Sequence, residues 1–367
     1  MRILTIVLSL LSIQGIAQDS NISLPGEMAR ANYFHASDEI TGMLEDRTEM
    51  SFKKAVFTVE NAFFDNQLSY DKYDYEIQKL VRLAEYNLQA KELIYDLSDK
   101  DHVARHGAIY FSLMDTTKVY ARDTVFLHLP FSYDFEDFMG DKDWSKMFVA
   151  KLLDTGTGNC HSLPFLYKIL AEEMGETAYL SMAPNHTYIK LWTERSGWFN
   201  TELTSASFPI DAWIMASGYV HLNAVQNGIY MDTLSLKQSI AVNMLDLAKG
   251  YEKRFGKSDN PEFVLDCVNA TLEHYPLYIN ALLLKAETMK VIYERMMEEY
   301  GASSPNDLFE YPKPKAWFDE MQALYFNIHQ LGYRKMPNQM YLNWLADLNE
   351  HKEKYANKDI MSNFRTE

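Results

Sequence analysis

Residues 156–175 read GTGNCHSLPFLYKILAEEMG, and this stretch decides how the middle of the chain folds. Asn159 is a residue type that caps helices, and Gly175 is suited to ending one. Between them the apolar side chains recur at helical spacing. They are Leu163, Leu166, Tyr167, Leu170 and Met174. The stretch therefore predicts a buried helix with Cys160 at its N-terminus.

Cys160 is a candidate nucleophile because of this position. The positive end of the helix dipole and the free backbone N–H groups at a helix start favour a thiolate. The same N–H groups can stabilise an oxyanion during acyl transfer. A cysteine at a helix start is often only a small buried apolar residue, so this stretch alone leaves both interpretations open.

A thiolate mechanism also requires a base, and His186 is the candidate that the order of residues favours. His161 follows Cys160 directly, and neighbours on a helix do not face each other. His186 opens the stretch HTYIKLW after a Pro-Asn break, and the β-branched and aromatic residues there predict a strand. We therefore expect one strand in TAYLSMAP (177–184) and a second strand that begins at His186.

The base in turn needs a group that orients it, and Glu202 is the first candidate. HTYIKLW and WFNTEL are separated by TERSG, which predicts a hairpin. If Trp192 lies opposite Trp198, Glu202 is diagonal to His186. The two backbones are then roughly 7–8 Å apart, which long side chains can span. A register shifted by two residues would place the two directly opposite each other. Asn200 is the second candidate orienter and lies farther from the histidine.

The set of Cys160, His186 and Glu202, in this order, resembles the transglutaminase-like (papain-like) superfamily. In that family a Gly-x-Cys helix is followed by a strand with the histidine and then by a Trp-x-x-x-Asp-Pro-Thr strand. The matching stretches here are GNCHSLPFLYKILAEEMG, PNHTYIKLW and WFNTELTS. Glu202 takes the place of the family's Asp, and Leu203 takes the place of its Pro. The resemblance covers about residues 140–210.

The resemblance implies an α+β fold with a transglutaminase-like (papain-like) cysteine core. It also implies a Cys-His-Glu triad that hydrolyses amide bonds or transfers their acyl groups. With helices of tetratricopeptide type near its C-terminus, the chain is similar to a bacterial group that contains both parts. We expect a protein or peptide substrate, and a protein partner bound through the C-terminal helices. The alternative is a catalytically silent binding module whose helical region recruits that partner.

The rest of the chain is predicted to be mainly helical. We divide the sequence into an N-terminal helical region (18–115), the transglutaminase-like core (116–234) and a C-terminal helical region (235–367). Residues 261–296 predict two amphipathic helices separated at Pro276, which resembles one tetratricopeptide-type unit. A plain helical bundle would give the same local pattern.

The first 17 residues have the organisation of a secretory signal. An Arg is followed by an apolar run from Ile3 to Ile13 and by small residues at Gly15 and Ala17. The run is shorter than the roughly 20 residues of a membrane-spanning helix. We therefore expect a signal peptide at 1–17 and a secreted or periplasmic protein, with a retained anchor as the alternative.

Composition and motifs argue against several classes of partner. The net charge is −16 and no block of Lys or Arg occurs, so we expect no nucleic-acid partner. His102 and His106 are spaced like two ligands on a helix, but the sequence offers no evident third ligand. The glycine-containing stretch GTGN is too short for a phosphate-binding loop. We expect no metal and no cofactor.

The second cysteine, Cys267, lies between apolar positions in EFVLDCVNATL and is expected to be buried in a helix. An exported protein can form disulfides, so a bond between Cys160 and Cys267 is a further alternative, which would remove the thiolate. Only the distance between the two residues in the fold decides it.

Overall fold

The computed structural model describes residues 26–90, 93–121, 124–217, 219–351, 354–357 and 360. Within them the chain combines many helices with small sheets, which confirms the predicted α+β class of the fold. The expected signal peptide at residues 1–17 lies outside the described residues. Among the helices that the structure describes, none is both long and apolar enough to cross a lipid bilayer.

Four helices come first along the described chain: α1 (Gly26–Leu44), α2 (Phe52–Phe63), α3 (Tyr70–Ala90) and α4 (Lys100–Met114). Local signals explain where they begin and which face is buried. The Ser51 hydroxyl accepts the N–H of Lys54 and so caps the start of α2. In α3, Ile77, Leu80 and Ala84 are buried at helical spacing. All four helices fall within the predicted N-terminal helical region.

The middle of the chain holds the strands that the structure describes, and they form three small sheets. The first two are an antiparallel hairpin and a short parallel pair: β1 (Thr117–Ala121) with β2 (Thr124–His128), and β3 (Ser132–Tyr133) with β4 (Thr157–Gly158). The third is antiparallel and follows chain order: β5 (Tyr179–Ala183), β6 (His186–Thr193) and β7 (Gly197–Thr201). These last three strands coincide with the strands that the sequence predicts.

Two helices in this middle part precede β5: α5 (Val149–Thr155) and α6 (Ser162–Glu173). Among the described residues, seven α-helices follow β7: α7 (Asp211–Ser217), α8 (Leu222–Gln226), α9 (Leu236–Phe255), α10 (Pro261–His274), α11 (Ile279–Glu299), α12 (Pro312–Gln330) and α13 (Asn338–Glu350). Helix α10 packs against both α9 and α11, and α11 packs against α12. The turn between α10 and α11 contains Pro276, where the sequence predicts the two helices to separate.

Helix α6 lies at the centre of the fold. Every residue from Ser162 to Ala171 is buried, because α2, α4 and the strands β5 and β6 all pack against this helix. The ring of Phe165 meets that of Phe52 edge-on, with centroids 5.1 Å apart. Lys168 Nζ donates to the Ala178 carbonyl (2.7 Å), and burial lowers its pKa to about 8. The helix that follows Cys160 is therefore enclosed by other elements.

The three regions predicted from the sequence share one hydrophobic core. Helices α1 and α2 of the N-terminal region pack against α9 of the C-terminal region. The rings of Tyr33 and Tyr251 meet edge-on with centroids 5.3 Å apart, and Arg30 Nε donates to Asp259 Oδ2 (2.8 Å). The first helix thus depends on residues that lie more than halfway along the chain.

Glu172 of α6 joins this helix to the start of α2. Its Oε1 accepts the N–H of Phe52 and its Oε2 accepts that of Lys53, both at 3.1 Å. A carboxylate in this position satisfies two N–H groups that have no partner within α2 and is favoured by the helix dipole. The cap therefore helps to hold the Cys160 helix in place.

We predict that Glu172→Ala lowers the free energy of unfolding by about 1.5–3 kcal/mol, because two charge-assisted hydrogen bonds are lost. Chemical denaturation followed by circular dichroism measures this change. Glu299→Ala is the matched control, since Glu299 is exposed at the end of α11 and its loss should change stability by less than about 0.5 kcal/mol. Equal losses for the two variants would contradict the capping role.

Candidate active site

The β6–β7 hairpin brings Glu202 to His186. Its register pairs Trp192 with Trp198, which is the first of the two registers considered from the sequence. β7 ends directly before Glu202, which then exchanges two backbone hydrogen bonds (2.8 and 2.9 Å) with Ser207. This bridge fixes the Glu202 backbone just beyond the sheet.

The side chains of His186 and Glu202 form a buried ion pair. His186 Nε2 lies 2.5 Å from Glu202 Oε2, and the two residues are only 4% and 2% exposed. The second carboxylate oxygen, Oε1, accepts the backbone N–H (2.9 Å) and the hydroxyl (2.8 Å) of Thr204. Both oxygens of the buried carboxylate therefore have donors, as a charge in the interior requires.

The environment of His186 favours the charged imidazole. Burial alone would lower the pKa of this histidine, but the negative charge of Glu202 and the neighbouring Cys160 outweigh it and raise the pKa to about 10. Because Nε2 is held by Glu202, Nδ1 is the ring nitrogen left to exchange a proton.

Cys160 lies in the turn just before α6, at the position predicted for it. Asn159 Oδ1 accepts the N–H groups of His161 (2.9 Å) and Ser162 (3.1 Å), as expected of a capping residue. Gly158 comes before the cap, and a Cβ there would lie only 2.6 Å from Ser162 Oγ. A glycine is therefore needed for the chain to enter the helix beside Cys160.

The backbone around Cys160 leaves one N–H group available. The N–H groups of His161 and Ser162 are occupied by Asn159, whereas that of Cys160 has no acceptor in the part of the chain that the structure describes. The Cys160 thiol donates to the carbonyl of Asn185 (3.6 Å), in the turn between β5 and β6. Of the N–H groups expected to bind an oxyanion, that of Cys160 itself remains.

Two tyrosines that the sequence analysis did not identify lie beside the thiol and the imidazole. Tyr341 Oη is 3.2 Å from His186 Nδ1 and 3.3 Å from Tyr133 Oη. Burial, and then the neighbouring Cys160, raise the pKa of both phenols well above the usual range, so both remain protonated. Because the chain has 24 tyrosines and Tyr341 follows His186 by 155 residues, no local pattern singles either out.

Asn200, the second candidate orienter, has other partners. Its Nδ2 donates to the Pro209 carbonyl (2.9 Å) and to Asp211 Oδ1 (2.7 Å). The amide therefore holds the loop after β7 rather than the histidine. Of the two candidate orienters, the structure places Glu202, and not Asn200, at His186.

The two cysteines are not joined. Both are free thiols, so the disulfide considered from the sequence is absent. Cys267 is buried in α10 with its Sγ 3.8 Å from Ser37 Oγ, and burial raises its pKa to about 12. Cys267 is therefore a buried, unreactive thiol, as the sequence predicts.

A carboxylate that the sequence analysis missed meets the two histidines of α4. Glu176 Oε2 lies 2.6 Å from His102 Nδ1, and Oε1 accepts from Arg105 (2.8 Å). Ligand atoms of His102, His106 and Glu176 lie within 4.8 Å of one another. Because Glu176 is already neutralised by Arg105, we interpret the cluster as an ion-pair contact between α4 and the segment before β5. The expected absence of a metal stays a prediction.

The chain was compared with protein-family models, with curated proteins and with solved structures, and no comparison gave a match. A functional conclusion therefore depends on the geometry of Cys160, His186 and Glu202.

Proposed function

We propose that the chain is an exported, transglutaminase-like enzyme that hydrolyses amide bonds or transfers their acyl groups through Cys160, His186 and Glu202. The observation that carries the proposal is the buried 2.5 Å contact between His186 Nε2 and Glu202 Oε2, with Cys160 beside the same imidazole. A charged imidazole next to a thiol at a helix start is an arrangement that activates cysteine nucleophiles.

In the first half of the reaction, the Cys160 thiol loses its proton to solvent, because His186 is already charged, and the resulting thiolate attacks the carbonyl carbon of an amide. The negative charge that develops on the carbonyl oxygen is stabilised by the free N–H of Cys160. His186 Nδ1 gives its proton to the leaving amine as the C–N bond breaks, and a thioester on Cys160 remains. Glu202 keeps the ring oriented and compensates its positive charge.

In the second half, the neutral His186 acts as a base through Nδ1. It takes a proton from water, which yields a carboxylic acid, or from an amine, which yields a new amide. The C–S bond breaks, and the thiolate and the imidazolium are restored. Because both acceptors use the same residues, the triad supports hydrolysis and acyl transfer equally.

The family and the location are parts of the proposal. The order of elements supports a transglutaminase-like core, since α6 follows Cys160, β6 begins at His186, and Glu202 comes directly after β7. Glu202 is one methylene longer than the family's Asp, and Thr204 holds its second oxygen. The exported location rests on residues 1–17 alone.

A catalytically silent binding module is the second candidate, and one observation favours it. Side chains fill the space beside the thiol, where Tyr341 contacts His186 and Cys160 is only 5% exposed. A site filled in this way has no room for a carbonyl group. In a silent module, the helices α9 to α12 would be the part that binds a partner.

The pH dependence of Cys160 alkylation tests the enzyme proposal. The charge of His186 persists through the neutral range and is lost only as the pH rises through about 10. We therefore expect iodoacetamide to modify Cys160 faster in the wild type than in His186→Asn, which lacks the charge, and we expect the two rates to converge as the pH rises through about 10. At pH 7 the variant should be slower by at least about tenfold, as measured by mass spectrometry of the Cys160 peptide.

His128→Asn is the matched control for this experiment. His128 is a partly buried histidine of β2 whose Nε2 bonds the Ser112 carbonyl (2.8 Å), outside the triad. Its replacement should leave the alkylation rate of Cys160 unchanged. A rate at pH 7 that is the same in the wild type and in His186→Asn would argue against the ion pair and favour the silent module.

A second prediction concerns the Glu202 charge. Without this charge, burial dominates the environment of His186, so we expect Glu202→Gln to lower the pKa of His186 from about 10 to below its ordinary value of about 6.5. Titration of the ring by NMR measures the shift. Alkylation of Cys160 at pH 7 should slow by at least about tenfold, because the neutral ring no longer stabilises the thiolate.

Glu194→Gln makes the same chemical change in the exposed turn of the same hairpin. It should leave both the pKa of His186 and the alkylation rate as in the wild type. If Glu202→Gln behaved in the same way, Glu202 could not be the residue that orients and charges His186.

A further inference from the structure

The C-terminal part of the chain covers the candidate active site. We call residues 333–357 the C-terminal strap; its described residues are 333–351 and 354–357. Tyr341, in the first turn of α13, is 0% exposed, and its hydroxyl contacts both His186 Nδ1 (3.2 Å) and Tyr133 Oη (3.3 Å). Nδ1 is the atom that must pass a proton to the leaving group. Tyr341 therefore occupies the position that a reacting group needs.

A second aromatic residue of the strap contacts the same imidazole. The Trp344 ring lies edge-on to the His186 ring, with centroids 4.5 Å apart, and is stacked on Trp213 at 5.7 Å. Tyr341 is itself stacked on Phe138 at 5.3 Å. The strap thus places two large aromatic side chains against His186.

Both ends of the strap are attached beside the site. Near its start, the Met336 carbonyl accepts from Asn185 Nδ2 (3.3 Å), and Asn185 is also the residue whose carbonyl accepts from the Cys160 thiol. Near its end, the N–H of Asn357 donates to the Phe208 carbonyl (2.7 Å). The strap is therefore bonded to the rest of the fold near both of its ends.

The covering has a direct consequence for chemistry. An attacked carbonyl carbon must approach the sulfur to about 3–3.5 Å. Cys160, His186 and Glu202 are 5%, 4% and 2% exposed. The thiol is therefore closed to a substrate in this arrangement, and Tyr341, which lies on His186 Nδ1, is a side chain that must move.

The connection before α13 permits such a movement. α12 ends at Gln330 and α13 begins at Asn338, and the residues between them are irregular. Lys335 is exposed, so the Arg334-Lys335 pair also offers a cleavage site to a trypsin-like protease.

We propose that the C-terminal strap is an autoinhibitory segment that keeps the active site closed and that must be displaced or cleaved before Cys160 can react. This inference rests on the proposed function, because it concerns the regulation of the same site. The open and closed states are in equilibrium, and contacts made only in the closed state set the balance between them.

The first test is alkylation of the full-length chain by iodoacetamide in the wild type and in Tyr341→Ala. Loss of the ring and its hydroxyl contacts should raise the rate at Cys160 by at least about tenfold. Cys267 serves as an internal reference, because it is free, 1% exposed and buried in α10. An increase confined to Cys160 supports the proposal, and equal rates in both proteins overturn it.

Met340→Ala is the matched control, since Met340 is the exposed neighbour of Tyr341 on the same helix. Cys160 should be alkylated in this variant at the wild-type rate.

If Tyr341→Ala unfolds, both cysteines will react, and the milder variant Tyr341→Phe then tests the proposal. This variant keeps the ring and removes only the hydroxyl, so the rate at Cys160 should rise less but still exceed that of the control; a rate equal to the control overturns the proposal.

Limited trypsin digestion of the wild-type chain is an independent test of the autoinhibitory role of the strap. Cleavage after Arg334 or Lys335, identified by mass spectrometry, should be followed by faster alkylation of Cys160 at an unchanged rate for Cys267. No acceleration in the cleaved and dissociated protein overturns the proposal.

Hydrolysis of para-nitrophenyl acetate distinguishes a failure of the strap proposal from a failure of the enzyme proposal. Its acetyl group passes to Cys160 Sγ and nitrophenolate leaves, so a burst of nitrophenolate reports the acyl-enzyme. A burst that is larger in Tyr341→Ala than in the wild type supports both proposals. Faster alkylation of Tyr341→Ala without a burst supports the strap proposal and overturns the enzyme proposal. A burst that is equally strong in the wild type and in Tyr341→Ala supports the enzyme proposal and overturns the strap proposal.

Discussion

The candidate site depends on keeping one negative charge buried beside His186. A carboxylate removed from water is stable only if its oxygens find donors. Glu202 has a ring nitrogen of His186 on one oxygen and two donors of Thr204 on the other. The pairing of β6 with β7 sets where these groups lie. Because a shift by one residue would turn each side chain to the other face of the sheet, the register of this hairpin is the constraint from which the chemistry follows.

Chemistry and access are controlled by different parts of the molecule. The hairpin and the start of α6 assemble the thiol, the imidazole and the carboxylate, whereas Tyr341 and Trp344 of α13 determine whether anything can reach them. Exclusion of water strengthens the attraction between the charges inside. The same exclusion removes the route by which a substrate enters. An enzyme at rest and a silent binding module would therefore look alike in the closed state, and they differ only in whether α13 leaves.

The sequence predicts the parts of the site that lie on one local stretch or on neighbouring strands. The cap and the apolar spacing placed Cys160 at a helix start, and the residue types around TERSG predicted the hairpin, whereas its register was fixed only by the structure. Tyr341 could not be found in this way, because periodicity reports which face of a helix is buried but not which distant surface covers it. The contact of Glu176 with α4 could not be predicted for the same reason, since tertiary packing alone brings the two together. The shared core of the three predicted regions was likewise invisible to local patterns.

The packing of α1 has a consequence for the order of folding. Arg30 of this helix bonds Asp259, which follows it by 229 residues, and Tyr33 meets Tyr251. Contacts between residues so far apart close long loops and form slowly. Helix α1 also packs on α2, so during synthesis only the part of its apolar face that α9 covers remains exposed until α9 has emerged, and exposed surface of this kind promotes aggregation. The nascent chain should consequently depend on chaperones more than a helical protein of equal size whose first helix is covered by its immediate neighbours alone.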